Sequence, residues 1–185
     1  MGDRQGRRDS YVGGILRGIV NVFGGGAPVL DEQLQRAATA DADPGRRGRA
    51  ATREVAPPDA AALVITYRPR INGDPDAGEI VWTWVPYDEA DGRGKDRPVL
   101  VIGRQDRDRV YVVRLTSVPH EGDRDYLLLG AGDWDARGRP SWVDIEQIYS
   151  VHARGMRREA AVLDAERFQR IADALRRRYG WRTAD

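Results

Sequence analysis

Three strand-like segments in close succession constrain this chain more than any other feature. "GEIVWTWVP" (Gly78–Pro86), "PVLVIG" (Pro98–Gly103) and "RVYVVRLTS" (Arg109–Ser117) are rich in β-branched and aromatic residues and lie between glycine, proline and charged turns. That composition suits a pleated, half-buried surface. The middle run is continuously apolar, so both of its faces must be covered. Tyr87 to Asp96 reads as a polar loop and "RQDRD" as a tight turn. Further short strands are expected at Tyr126–Leu129, Ser141–Ile145 and Ile148–His152, separated by glycine-rich turns. One helix follows: Asp164 is a natural N-cap, Phe168, Ile171, Ala172, Leu175 and Tyr179 keep helical spacing, and Gly180 ends it. Short strands followed by one amphipathic helix predict a mainly β, α+β fold: a small, strongly bent, barrel-like sheet with a helix laid against it.

The chain before this region has a different texture. Residues 37–76 mix small residues, prolines and alternating charges and lack the apolar side chains that offset ordering entropy, so they are expected to form a disordered linker. Within residues 1–36, Val12, Ile15, Leu16, Ile19, Val20 and Phe23 share one helical face. Gly13, Gly14 and Gly18 weaken that helix and "GGG" at Gly24–Gly26 ends it. It would pack on the main domain or a partner. Membrane-surface binding through residues 11–23 is the sharper alternative, against which its polar face carries little positive charge. The reading is therefore an N-terminal segment (1–36), a linker (37–76) and a barrel domain (77–185).

Composition excludes several classes of chemistry. With no cysteine, the chain has no disulfide, thiolate metal site or cysteine nucleophile. Two histidines, His120 and His152, make a histidine-rich metal centre unexpected, and neither metal nor cofactor is expected. Net charge is +1, so an anion site must be local rather than a global basic field. No apolar run is long enough to span a bilayer. "GRRDSYVGGILRGIVNVFGGGA" has the outline of a secretory or twin-arginine signal, but Arg17 and Asn21 interrupt its apolar part and Asp9 separates it from the arginines. A cytoplasmic protein is expected.

Taken in order, "GEIVW", a polar loop, "RPVLVIG", a strand closing on "LTS", "IEQI" and a C-terminal helix resemble the PemK/MazF family of toxin endoribonucleases from bacterial toxin–antitoxin pairs, over about Gly78 to Gly180. No single motif is specific; their order and spacing carry the likeness. The resemblance implies an SH3-like or CcdB-type barrel, usually homodimeric, whose groove binds single-stranded RNA and cleaves it without a metal until a cognate antitoxin blocks it. It places the chemistry on the arginine of "RP" and the threonine of "TS", here Arg97 and Thr116. This chain departs from the pattern in three ways. It has acids at Asp88, Glu89, Asp91 and Asp96, it has Arg114 and Leu115 where many relatives carry a proline shortly before the threonine, and it has an N-terminal extension.

The residue types suit that chemistry. The substrate 2′-hydroxyl is the nucleophile, so the protein must move protons and stabilise negative charge on a phosphorane. A planar guanidinium donates two parallel hydrogen bonds to phosphate oxygens and stays charged, which gives Arg97 transition-state stabilisation first. Thr116, stiff at χ1, would hold a phosphate oxygen, with Ser117 in reserve. The bland counterparts are a surface pair of Arg97 with Asp96 or another loop acid and turn bonding by Thr116 and Ser117. His120, in "TSVPHEGD", is either a natural acid or base or a solvated loop residue. Lys95 would contact RNA backbone or aid solubility. Trp134, in the turn-rich "GDWDARGRP", is the tryptophan expected to be exposed and available for base stacking, whereas Trp82 and Trp84 share a strand face and suit a core or dimer contact. Glu146 and Gln147 are expected to help close the barrel, and Arg176–Arg178 to be a solvated helix end. The rival reading is a barrel without nuclease activity that binds nucleic acid or a protein such as gyrase.

Overall fold

A computed structural model of the chain describes residues 45–70, 74–87 and 92–184. The expected helix over residues 12–23 and the segment 1–36 lie outside them, as do Asp88, Glu89 and Asp91. The strands are β1 (Arg53–Val55), β2 (Val64–Thr66), β3 (Glu79–Pro86), β4 (Gly94–Arg104), β5 (Arg109–Thr116), β6 (Tyr126–Gly130), β7 (Ser141–His152), β8 (Met156–Val162) and β9 (Arg182–Ala184), with helix α1 at Ala165–Tyr179. A seven-stranded antiparallel sheet runs in the order β1-β7-β5-β4-β3-β8, with β6 also paired to β7, while β2 and β9 form a separate parallel pair.

Strand alternation on β4 and β5 divides the core in two. Leu100, Ile102, Val113 and Leu115 face outward and pack with Phe168, Ile171, Ala172 and Leu175 of α1. Val99, Val101, Val110 and Val112 face inward and pack with Val81, Val85, Tyr149, Val151 and Met156. Burial of both faces accounts for the unbroken apolar run of β4. The sheet also closes on itself: Thr52, beside β1 at one end of the strand order, shares a 2.8 Å hydrogen bond with Thr83 of β3, four places along. Thr83 Oγ1 donates in turn to the Gly155 carbonyl at 2.6 Å. The helix is bounded as its sequence predicts. Asp164 accepts from the Arg167 N–H at 2.9 Å, and Gly180 adopts the left-handed conformation (φ 72°) that a side chain would strain.

The expectation of a linker over 37–76 is corrected for residues 45–70. Their few apolar side chains would not order them alone, but the main domain supplies the rest. β1 pairs with β7, Leu63 and Ile65 enter the outer core, the Tyr67 hydroxyl donates to the Leu163 carbonyl, and the Trp181 indole donates to the Pro58 carbonyl. β4 also begins earlier than expected, at Gly94, and the two strands expected over 141–152 are one strand. Between them the β5–β7 register shifts, from Val113↔Ile148 to Leu115↔Val143.

Candidate active site

The inward face of β4 and β5 does not stay apolar along its length. Val99 pairs with Arg114 and Val101 with Val112. Continuing that register by two residues brings Arg97 and Thr116 to the same level, on the face that Val99 and Val101 occupy deeper in. Side chains at directly opposed positions stand about 5 Å apart at Cβ. Pro98 lies one residue outside the β4–β5 register, a locally edge-like position where a missing N–H is tolerated. The strand is thus fixed immediately beside Arg97.

At this end a cleft of about 450 Å³ opens, lined by Tyr87, Arg93, Arg97, Arg114, Thr116, Val118, His120 and Tyr126. Among the described residues three guanidiniums and no carboxylate line it, so these side chains concentrate positive charge here. The Arg97 guanidinium carbon sits 6.0 Å from the centre of the Tyr87 ring. Arg97 Nε is the buried side-chain nitrogen or oxygen that lacks a hydrogen-bond partner among the described residues. Asp96 pairs with Arg157 of β8, so of the expected surface pairs the one between Arg97 and Asp96 is not formed; the other acids of that loop lie outside the described residues. Thr116 Oγ1 accepts the Val118 N–H at 3.1 Å, which orients the hydroxyl and leaves its proton to donate.

Behind the cleft lies a polar network centred on Asp144, which is 1% exposed. Its Oδ2 accepts from Arg114 Nε at 2.8 Å and from the Tyr126 hydroxyl at 3.3 Å, while its Oδ1 accepts the N–H groups of Glu146 and Gln147. These backbone bonds hold the register shift in β7. Glu146 and Gln147, expected to help close the barrel, sit at this irregularity. Burial opposes the charge of Arg114, but Tyr149, Asp144 and Tyr126 together outweigh it and hold the guanidinium above its ordinary range. Burial first, and the Asp144 carboxylate second, push the Tyr126 phenol up. His120 stacks on Tyr126, with ring centres 3.5 Å apart and planes 7° from parallel, and Trp142 meets it edge-on at 6.4 Å.

Of the residues expected at the site, Arg97, Thr116 and His120 come together in the cleft. Ser117 and Lys95 are exposed and outside its lining. The expectation for Trp134 is corrected: it is 4% exposed, packs in the outer core, donates its indole N–H to Ser141 Oγ at 3.0 Å and lies under Arg167. Gly132 makes room for it, since a Cβ there would stand 2.1 Å from the indole ring. Trp84 is buried, as a core role requires. Arg178 is not merely solvated but pairs with Asp125 and, at 3.6 Å, with Glu146. Arg114, Tyr126, Tyr87, Arg93 and Asp144 were not picked out as site residues by sequence reasoning. Arg114 was legible, because two residues before Thr116 on a strand means the same face.

Among the described residues no three His, Cys, Asp or Glu side chains are grouped to hold a metal ion, and no helix is long and apolar enough to cross a membrane. Among the solved structures that resemble the chain are three toxin-family proteins. A mycobacterial endoribonuclease in complex with its cognate antitoxin is 16% identical, covering 58% of this chain and 96% of that one, with a TM-score of 0.44. The Mycobacterium tuberculosis toxin MazF-mt6 is 18% identical, covering 55% and 97%, with a TM-score of 0.40. A MazE–MazF structure from Deinococcus radiodurans is 21% identical, covering 57% and 96%, with a TM-score of 0.42. No curated protein matches the chain. The model of the PemK-like, MazF-like toxins of type II toxin–antitoxin systems matches residues 76–178, a span that includes β3 to β8, the cleft and nearly all of α1. With more than half of its length matched, the chain belongs to that toxin family.

Proposed function

We propose that the cleft is the active site of an endoribonuclease that cuts single-stranded RNA through the substrate's own 2′-hydroxyl, leaving a 2′,3′-cyclic phosphate and a 5′-hydroxyl. The observation that carries this reading is that Arg97 and Thr116 line one cleft at the end of the β4–β5 ladder, where, among the described residues, Arg97 Nε has no hydrogen-bond partner and no carboxylate lines the wall. Arg97 stabilises the charge that builds on the phosphorane. Thr116, oriented by the Val118 N–H, donates to a phosphate oxygen. Since the nucleophile belongs to the substrate, no metal is needed to generate one.

Family membership supports a cognate antitoxin that blocks the cleft, and the same reading has the protein act as a homodimer in the cytoplasm. The barrel domain does the chemistry, and the N-terminal region is accessory to it. Removing one preorganised donor costs about 10²–10³ in rate, so Arg97→Ala and Thr116→Ala should each lose at least that much cleavage of single-stranded RNA in chelator. If the wild-type protein leaves diverse RNAs intact, or both variants cut as well as it does, the assignment fails. Growth arrest on induction with intact RNA would instead mark a binding module.

A further inference from the structure

We propose that His120 is the general base of the cleft, taking the proton from the substrate 2′-hydroxyl. The inference rests on the reading of the cleft as an RNA-cleaving site. That reaction needs a group able to accept a proton near neutral pH, and the other lining side chains do not offer one. Arg93, Arg97 and Arg114 are donors without an acceptor atom, phenols and aliphatic hydroxyls are weak bases, and among the described residues no carboxylate lines the cleft. Imidazole is the side chain that ordinarily exchanges a proton between about pH 5 and 8.

The ring is also held in place. It lies flat on Tyr126 at 3.5 Å, and its Nδ1 is 3.6 Å from the Asp123 carboxylate. A carboxylate at Nδ1 leaves Nε2 for the substrate. Among the described residues, the charged and titratable groups around the ring are Asp123 on its own loop, Tyr126 from β6, and Arg114 and Asp144 behind Tyr126 from β5 and β7. Arg93, Arg97 and Tyr87 also line the cleft. In the step itself, Nε2 takes the 2′-hydroxyl proton and the O2′ electron pair forms the O2′–P bond. The P–O5′ bond breaks with its pair on O5′, which solvent water protonates. The imidazolium then returns its proton to the hydroxide left behind.

The test is single-turnover cleavage of single-stranded RNA across about pH 5–9 by wild type, His120→Gln, His120→Phe and His120→Ala, with Arg97→Ala as the inactive control. Loss of a general base costs about 10²–10⁴ in rate. The glutamine and phenylalanine variants should fall by that factor and lose the rising limb of the pH–rate profile. Binding of a non-cleavable 2′-O-methyl RNA should stay within a few-fold of wild type. Free imidazole should restore rate to His120→Ala in proportion to its concentration. Phenylalanine keeps the stack on Tyr126 but carries no proton acceptor. Wild-type cleavage by His120→Phe, with Arg97→Ala inactive, would therefore overturn the base and leave the nuclease reading standing. Equal losses of binding and cleavage with an unchanged pH profile would also overturn it. If wild type cuts no RNA, both readings fall.

Discussion

Replacing Asp144 by asparagine removes one charge and keeps the shape, at the point where the cleft and the barrel framework meet. The carboxylate accepts four hydrogen bonds, two from backbone N–H groups at the β7 register shift and two from Arg114 and Tyr126 behind the cleft. The amide oxygen can still serve the backbone pair. The guanidinium is then left facing an uncharged group, with side-chain exposures of 12% for Arg114 and 2% for Asp144. Removing the charged partner of a buried charge costs about 3–5 kcal/mol, and the lower end applies because the backbone bonds and the Arg114–Tyr126 bond survive. For a chain of this size that corresponds to a fall in Tm of about 6–12 °C. A second variant, Arg114→Met, removes the guanidinium that faces Asp144. Combined with Asp144→Asn it should recover much of the loss, with a coupling of about 2–3 kcal/mol in a double-mutant cycle. Urea denaturation of the four proteins measures this directly. If Asp144→Asn leaves the urea midpoint and slope unchanged, or if the two losses simply add, the buried pair does not anchor the site.

Two further outcomes follow from other parts of the molecule. Arg109 donates to Ser150 O and Oγ and to the carbonyls of Arg49 and Ala51, at 2.8–3.1 Å, tying the segment before β1 to the barrel. Arg109→Ala should cost about 1.5–3 kcal/mol and expose new trypsin sites at Arg46–Arg49; an unchanged digestion pattern would show that the segment is held otherwise. Tyr126 and Tyr179 are both raised from the ordinary phenol value, chiefly by burial. Their stabilising contribution is full below the unfolded phenol value and is lost as pH rises through the folded one. Spectrophotometric titration should show late-titrating tyrosines, with one fewer in Tyr126→Phe.

How far the sequence spoke depended on the range of the information needed. Strands β3 to β5 were legible because each carries its own β-branched run, and α1 because its periodicity and both of its ends are local. β8 was not, since "MRREAAV" offers few apolar residues and its Arg157 is spent on Asp96 across the sheet; charge on an outer strand blunts edge-to-edge pairing. β1 and β2 were missed for a related reason. Their order is paid for by partners far along the chain, and a count of apolar residues within the segment cannot register that. Trp134 was misjudged because turn residues on both sides describe the backbone's path over the surface, while its indole turns back through the space that Gly132 leaves open.

The site itself was half legible, and the missing half is register. Period-two alternation puts Arg97 on the face of Val99 and Val101, and puts Arg114 and Thr116 on the face of Val112. Only the pairing of Val99 with Arg114 makes those two faces one surface. A one-residue slip would turn the inward valines out and carry Arg97 to the other side of the sheet. The buried inner cluster therefore specifies more than stability. By penalising any other register, it sets Arg97 and Thr116 on one face of the cleft, and the polar end of the ladder inherits its geometry from the apolar end. His120 has no such constraint from the ladder, because it lies beyond the last β5 residue. Its position depends on Tyr126, which pairs with Asp144 across β6 and β7. One buried carboxylate thus sets Arg114 directly and His120 through the tyrosine on which it stacks.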